Sequence, residues 1–144
     1  MARTVTLRPS SDSDAAWIAD LRAEVMRADL ERLNLFDPVW VRERFLRAFV
    51  SRNTRLIDVH GETVGSIAVR TEADDRWIEH FYLASAQQGR GVGGQVLRQV
   101  MGERSDERPF RLNVLRGSPA RRLYERHGFE FEHEDATDTF MVAP

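Results

Sequence analysis

The stretch Gln88-Gly89-Arg90-Gly91-Val92-Gly93-Gly94 stands between a strand-like run, Trp77-Ile78-Glu79-His80-Phe81-Tyr82-Leu83, and a helical pattern, Val92, Val96, Leu97, Val100 and Met101. A strand, a glycine-rich turn and a helix in that order commit this part of the chain to a sheet with a helix laid against it. Glycine lets the backbone turn and approach a ligand without a Cβ clash. The first helical turn then presents unpaired N–H groups, backed by the helix dipole, to an anion. Four of the six residues from Gly89 to Gly94 are glycine, more than a bare turn needs, and each raises the conformational entropy lost on folding. The turn therefore implies a phosphate-bearing ligand, with Val92 packing into the core. The alternative is a tight strand-to-helix turn without a ligand.

The rest of the chain supplies the frame. Thr4–Arg8 alternates as a short strand ending at Pro9. Ser10–Asp14 is a cluster of cap residues, and the helix after it places Ala16, Ile18, Leu21, Val25 and Leu30 on one side. Asp37-Pro38 starts a second helix carrying Val41, Phe45, Leu46 and Phe49. Thr54–Val59 and Thr63–Arg70 are β-branched runs joined by His60-Gly61-Glu62, a hairpin signal. Trp77–Leu83 continues the meander. Phe110–Leu115 is a further strand, and Ser118-Pro119 opens a helix that Gly128 stops. Phe129–Glu132 and Thr137–Val142 read as terminal strands. The order βαα, βββ, α, β, α, ββ predicts an α+β fold around one sheet, not a doubly wound array.

At 144 residues the chain, 1–144, is expected to form a single domain with a core large enough to need no disulfide or metal staple. It has no cysteine, which excludes thiolate chemistry and cysteine-ligated zinc; no metal is expected. Its 21 basic and 23 acidic residues are well mixed and net to −2, so no nucleic-acid partner is expected. Met1–Pro9 lacks the apolar segment of a signal peptide. No run approaches the roughly 20 apolar residues of a membrane span. A soluble cytoplasmic domain without membrane contact is the expectation.

Three phosphate-loop readings compete. A P-loop needs a lysine that the turn lacks. The dinucleotide fingerprint GxGxxG is spelled by Gly89 to Gly94, yet Ala84–Gln88 separates it from its strand, and Phe110–Leu115 carries no acidic residue. The third reading fits better. Gln88, Gly91 and Val92-Gly93 match in order the pyrophosphate loop of the GNAT acetyltransferase superfamily, and Phe81-Tyr82-Leu83 resembles that family's bulged strand. Ala120-Arg121-Arg122-Leu123-Tyr124-Glu125-Arg126-His127-Gly128-Phe129 resembles its second signature, a helix ending in Tyr, three residues, Gly-Phe. The order of elements agrees along the whole chain.

The resemblance implies a GNAT-like mixed, mostly antiparallel sheet of about seven strands flanked by four helices. It implies an acyltransferase: an N-acetyltransferase passing the acetyl group of acetyl-CoA to a primary amine by direct attack. The alternative is a non-catalytic acyl-CoA-binding or regulatory domain. Tyr82 and Leu83 would pair with the pantetheine arm as a pseudo-strand. Gln88 and the backbone from Gly89 through Arg90, Gly91, Val92 and Gly93 to Gly94 would hold the pyrophosphate. Arg121 is a further cofactor contact. Where the family often has asparagine, this chain has Ser118, which reads either as a contact to the arm or as an N-cap.

Acetyl transfer needs a base for the amine, a donor for the developing oxyanion and a proton for the leaving thiolate. Tyr124 is implied as the acid; its alternative role is packing the helix on the sheet. Glu79 is the first candidate base and His80 the second, and period-2 alternation would place them on opposite faces. Glu24 and Asp37, in the region that covers the acceptor pocket in the family, could bind a cationic acceptor. The acceptor is expected to be a small-molecule or peptide amine, and the family also admits homodimers.

Overall fold

Turn and cap chemistry sets where the elements begin and end. The computed structural model describes residues 4–144; Met1 to Arg3, the start of the stretch read as lacking a leader, lie outside the described residues. β1 is Val5–Pro9. Before α1 (Ala15–Arg32), the Asp14 carboxylate accepts the Ser11 N–H at 2.9 Å. At α2 (Pro38–Ala48) the Asp37 carboxylate accepts from the N–H groups of Val39 and Trp40 at 3.0 and 3.1 Å. This is the side-chain cap that the first turn of a helix lacks by itself. Asp37 is thus committed to holding the helix start. Strands β2 (Thr54–Val59) and β3 (Glu62–Thr71) meet at His60 and Gly61, with φ of 52° and 80°. Positive φ at both positions gives the twist that a two-residue hairpin needs.

β4 (Arg76–Leu83), α3 (Val92–Gly102), β5 (Phe110–Leu115), α4 (Ala120–Arg126), β6 (Glu130–Glu134) and β7 (Asp138–Ala143) follow. The seven strands form one sheet in the order β1-β2-β3-β4-β5-β7-β6. Every neighbouring pair is antiparallel except β4 with β5. Helices α3 and α4 pack on one face, where Val92, Val96 and Leu97 join Ile57, Ile67, Ile78, Phe110 and Leu112 in the larger core. Ile18 and Ala19 of α1 and Phe45 of α2 bury Leu56 on the other face.

The inward faces of the first two helices differ in detail from the sequence reading. Ala19 is buried and Ala16 exposed; Val25 is half-buried; Leu46 stays 39% exposed. Each helical step turns about 100°, which carries Leu46, the neighbour of buried Phe45, off the core face of α2. No described helix is long and apolar enough to cross a membrane.

The feature that matters most for a site is the divergence of β4 and β5. They register only at Arg76↔Phe110 and Trp77↔Arg111. Arg76, almost fully buried, pins that closed end: its guanidinium donates to Arg108 O at 2.8 Å and to Asp106 at 2.7 Å, and its N–H donates to Pro109 O at 2.9 Å. Beyond Trp77 no further pair is formed, so the edge of β4 on the β5 side has no partner strand from Ile78 to Leu83.

Candidate active site

The open edge of β4 is also where its backbone is irregular. The register with β3 shifts between Ser66 and Ala68, and His80 has φ of 48°. A non-glycine residue in the left-handed region is strained and persists only where its surroundings enforce it. Two β3 residues do so. Ser66 Oγ donates to His80 O at 2.8 Å. Gly65 lets the bulged strand come close, because a Cβ there would lie closer to Tyr82 O than real Cβ contacts allow.

The bulge overturns the alternation expected for Glu79 and His80. Both line one cavity of about 150 Å³ with Ala48, Thr54, Ala68 and Arg70. An extra residue in one strand moves the next side chain to the face of its predecessor. Arg70 holds Glu79 with Nε–Oε1 at 3.0 Å. The His80 ring meets Phe45 edge-on at 4.9 Å. Burial pushes the His80 imidazole below its ordinary value; Glu79 opposes this, while Arg22 and Arg70 add to it.

Tyr82 points to the same face, toward Phe45. Arg22 Nε donates to its hydroxyl at 3.1 Å, and the hydroxyl lies 3.4 Å from His80 Nδ1. Its expected contact with a cofactor arm can therefore come only from its backbone. Glu24 is exposed on α1. With Asp37 occupied as a cap, neither acid joins this cluster.

At the glycine turn the residues divide the work. Gly89 and Gly91 have φ of 75° and 82° and open space where a Cβ would stand. Gly91 is the N-cap of α3 and offers no side chain to its first turn. The first helical bond runs from Gln95 N–H to Gly91 O, which leaves the N–H groups of Val92, Gly93 and Gly94 without an intrahelical acceptor. Gly93 and Gly94 serve packing instead: a Cβ would press on Leu123 of α4 at 3.0 Å and on His127 at 3.3 Å. The surplus of glycine is thus partly structural. Val92 is fully buried, as expected. Gln88 is exposed, and its amide donates to Leu83 O at 3.0 Å, so it closes the loop onto the strand end and engages that carbonyl. Arg90 is exposed.

The second motif has a physical account of its own. Gly128, with φ of 90°, donates to Glu125 O at 3.2 Å, and Phe129 N–H donates to Tyr124 O at 3.1 Å. These paired bonds, with Tyr124 and Phe129 rings 5.8 Å apart, form a Schellman stop and its hydrophobic contact. The motif also carries Tyr124 to Phe81 of β4, with ring centroids 6.4 Å apart. Burial raises the Tyr124 phenol well above its ordinary value, with a smaller contribution from Tyr82. Ser118 acts as a cap: its Oγ accepts from Ala120 N–H at 3.2 Å. Arg121 pairs with Glu125 at 3.4 Å and stacks over Phe131 of β6.

A family model described as an acetyltransferase (GNAT) domain matches residues 46–131, more than half of the chain. The chain belongs to the GNAT acetyltransferase family. No curated protein matches it in sequence. Among solved structures, this GNAT domain is similar to a PaiA N-acetyltransferase from Thermoplasma acidophilum in complex with coenzyme A, at 16% identity and TM-score 0.80, covering 97% of this chain and 98% of that one. It also resembles the ribosomal-protein-S18-alanine N-acetyltransferase of Escherichia coli (16%, TM-score 0.73, 98% and 94% covered). A third is the diaminobutyrate acetyltransferase EctA of Paenibacillus lautus, in complex with its substrate and coenzyme A (17%, TM-score 0.64, 99% and 96%).

Sequence reasoning missed four residues that shape this GNAT site: Arg22, Gly65, Ser66 and Arg70. Gly65 carried a readable signal, since glycine inside a strand marks a bulge or a close backbone approach. The other three act through partners distant in sequence, and nothing local marks them.

Proposed function

We propose that this protein is an N-acetyltransferase that passes the acetyl group of acetyl-CoA to a primary amine. The observation that carries the reading is the end of β4–β5 pairing beyond Trp77, on a bulged strand that leads through the glycine turn to an uncapped α3 N-terminus. Its parts suit acetyl-CoA. The free N–H groups of Val92, Gly93 and Gly94 suit a pyrophosphate. The unpartnered edge of β4 suits an amide-bearing arm. Leu83 O, already taken by Gln88, leaves the remaining edge positions of the strand for that role. When bound, acetyl-CoA supplies an acyl group activated as a thioester. Two of the similar folds bear the name of an N-acetyltransferase, and that of EctA was solved with the diamine it acetylates, which supports a small-molecule or peptide amine as acceptor.

The chain's own residues would divide the chemistry as follows. Glu79 takes the proton that the attacking amine loses, directly or through water, and Arg70 fixes the position of its carboxylate with Nε–Oε1 at 3.0 Å. Tyr124 serves the leaving sulfur. Its raised pKa means that it holds its proton firmly near neutral pH, so its contribution is a hydrogen bond to the sulfur more than complete proton transfer. A thiol of ordinary pKa near 8.5 leaves adequately with that help.

The test is to mix the protein with acetyl-CoA and a panel of small amines and peptides and to follow release of free thiol. The chain contains no lysine, so acetylation of its own side-chain amines cannot supply the signal. Transfer to an amine, slowed by Tyr124→Phe, is expected. Absence of CoA binding by calorimetry refutes the reading. Binding without turnover on a broad panel favours a non-catalytic acyl-CoA-binding domain.

A further inference from the structure

The cluster Arg22–Tyr82–His80 contains more information than its distances. A guanidinium has only donors to offer. Arg22 Nε donates to the Tyr82 hydroxyl oxygen at 3.1 Å, and its NH1 donates to Val41 O at 2.6 Å, which anchors Arg22 across α1 and α2. Tyr82 therefore receives a hydrogen on its oxygen and must place its own hydrogen elsewhere. The one further polar atom within hydrogen-bond reach among the described residues is His80 Nδ1, at 3.4 Å. If that nitrogen carried a hydrogen, the Tyr82 hydroxyl, in this half-buried cluster, would find no acceptor for its own hydrogen among the described residues, an arrangement that folded proteins avoid. Tyr82 stays a phenol because its burial raises its pKa.

We infer that Arg22, acting through the Tyr82 hydroxyl, holds His80 as the tautomer with Nδ1 bare and its hydrogen on Nε2. His80 then meets the cavity it shares with Glu79 as a hydrogen-bond donor, not as a proton acceptor. Arg22 is a positioning residue, and its effect runs along a directional chain: guanidinium to phenol, phenol to Nδ1. The contact with Tyr82 at 3.4 Å and the edge-to-face packing against Phe45 define the ring orientation that turns Nδ1 to the phenol. For the acyl transfer proposed above, on which this functional part rests, a neutral N–H beside Glu79 suits charge developing on the acyl oxygen. It leaves the base role to Glu79 or water.

The tautomer itself does not depend on the reaction, so it is tested separately. The protein labelled with ¹⁵N-histidine shows four imidazoles, from His60, His80, His127 and His133, and His80→Asn identifies the His80 signals. Near neutral pH the Nδ1 resonance is expected at the position of an unprotonated ring nitrogen and Nε2 at that of a protonated one. Tyr82→Phe or Arg22→Met is expected to bring a measurable population of the other tautomer. A protonated Nδ1 in the unsubstituted protein overturns the inference, whatever the enzyme does. For the role in catalysis, His80→Ala is expected to cost about 100-fold in kcat, the scale of a lost oxyanion donor. His80→Gln, which keeps an N–H donor but cannot act as a base, is expected to recover most of that loss. If glutamine is as inactive as alanine while both variants remain folded and bind CoA, His80 is a base and the donor role fails. Absence of acetyl transfer in the unsubstituted protein refutes the proposed function and leaves the tautomer result standing.

Discussion

Gly65→Ala tests the coupling between β3 and the bulge most directly. The glycine φ is ordinary, so the substitution introduces no left-handed strain. The obstacle is space. The new Cβ would sit closer than 3.0 Å to Tyr82 O, a backbone atom, with Leu83 Cδ2 at 3.0 Å and Ile57 Cδ1 at 3.3 Å closing the other sides. A side chain can rotate away, whereas a strand cannot. Restoring a normal carbon–oxygen contact parts β3 and β4 by about 1 Å. Overpacking of this kind costs about 2–3 kcal/mol, and stretching the Ser66–His80 hydrogen bond adds about 1 kcal/mol. The stiffer unfolded chain returns about 0.5–1 kcal/mol. The net is about 2–3.5 kcal/mol, which for a domain of this size lowers Tm by about 6–11 °C. Thermal and urea unfolding measure it. Gly102→Ala is the control: it lies in the last turn of α3 with nothing within 4 Å, and it should be neutral or stabilising by up to about 1 kcal/mol. Because the displaced atoms are the bulge itself, acetyl transfer should fall as well. A Gly65→Ala protein melting within about 2 °C of the parent, with full activity, would refute the claim that β3 enforces the bulge.

Other expectations follow from the same geometry. Glu79→Gln should lower kcat by about 100-fold with little change in KM for acetyl-CoA, since Glu79 lies in the cavity on the α2 side of the sheet; a drop of less than about threefold makes water the base. Gly91→Ala should cost about 1 kcal/mol in stability for its positive φ, yet weaken CoA by about tenfold as the free N–H groups of α3 turn aside; calorimetry that finds unchanged affinity contradicts the anion site. Both tyrosines of the chain have raised pKa values, chiefly through burial. The folded protein should therefore show no tyrosinate absorbance at about pH 10, where a free phenol is half ionised. Stability from keeping these phenols protonated is fully present below about pH 10 and lost as pH rises through the raised folded values. Half ionisation at pH 10 without unfolding would count against their burial. His80 works in the opposite direction. Its folded pKa is depressed, so its contribution is present above about pH 6.5 and is lost as pH falls through the folded value. His80→Asn should flatten that acid limb.

Much of this protein is written locally. Alternation of apolar residues marks the strands, Asp37 and Ser118 mark helix starts, His60-Gly61 marks a hairpin, and Gly128-Phe129 marks a helix stop. Each is a signal between near neighbours, set by backbone sterics and unpaired N–H and C=O groups, so the sequence alone determined the order and type of the elements. The two family motifs fall where these local devices meet, which is why the glycine turn and Tyr124 were readable. What only the tertiary structure decided is the geometry that depends on a second strand or helix. Period-2 alternation separates Glu79 from His80. A bulge brings them to one cavity, because Gly65 and Ser66 of the neighbouring strand accept the displaced backbone. Arg22 lies 60 positions from the hydroxyl it binds. Two of the four glycines in the opening motif also lie tightly against Leu123 of α4 and His127 just after it. The physical reason is common to all of these: a residue's local pattern reports what its own backbone can do, while close approach, register and hydrogen-bond direction belong to pairs of elements.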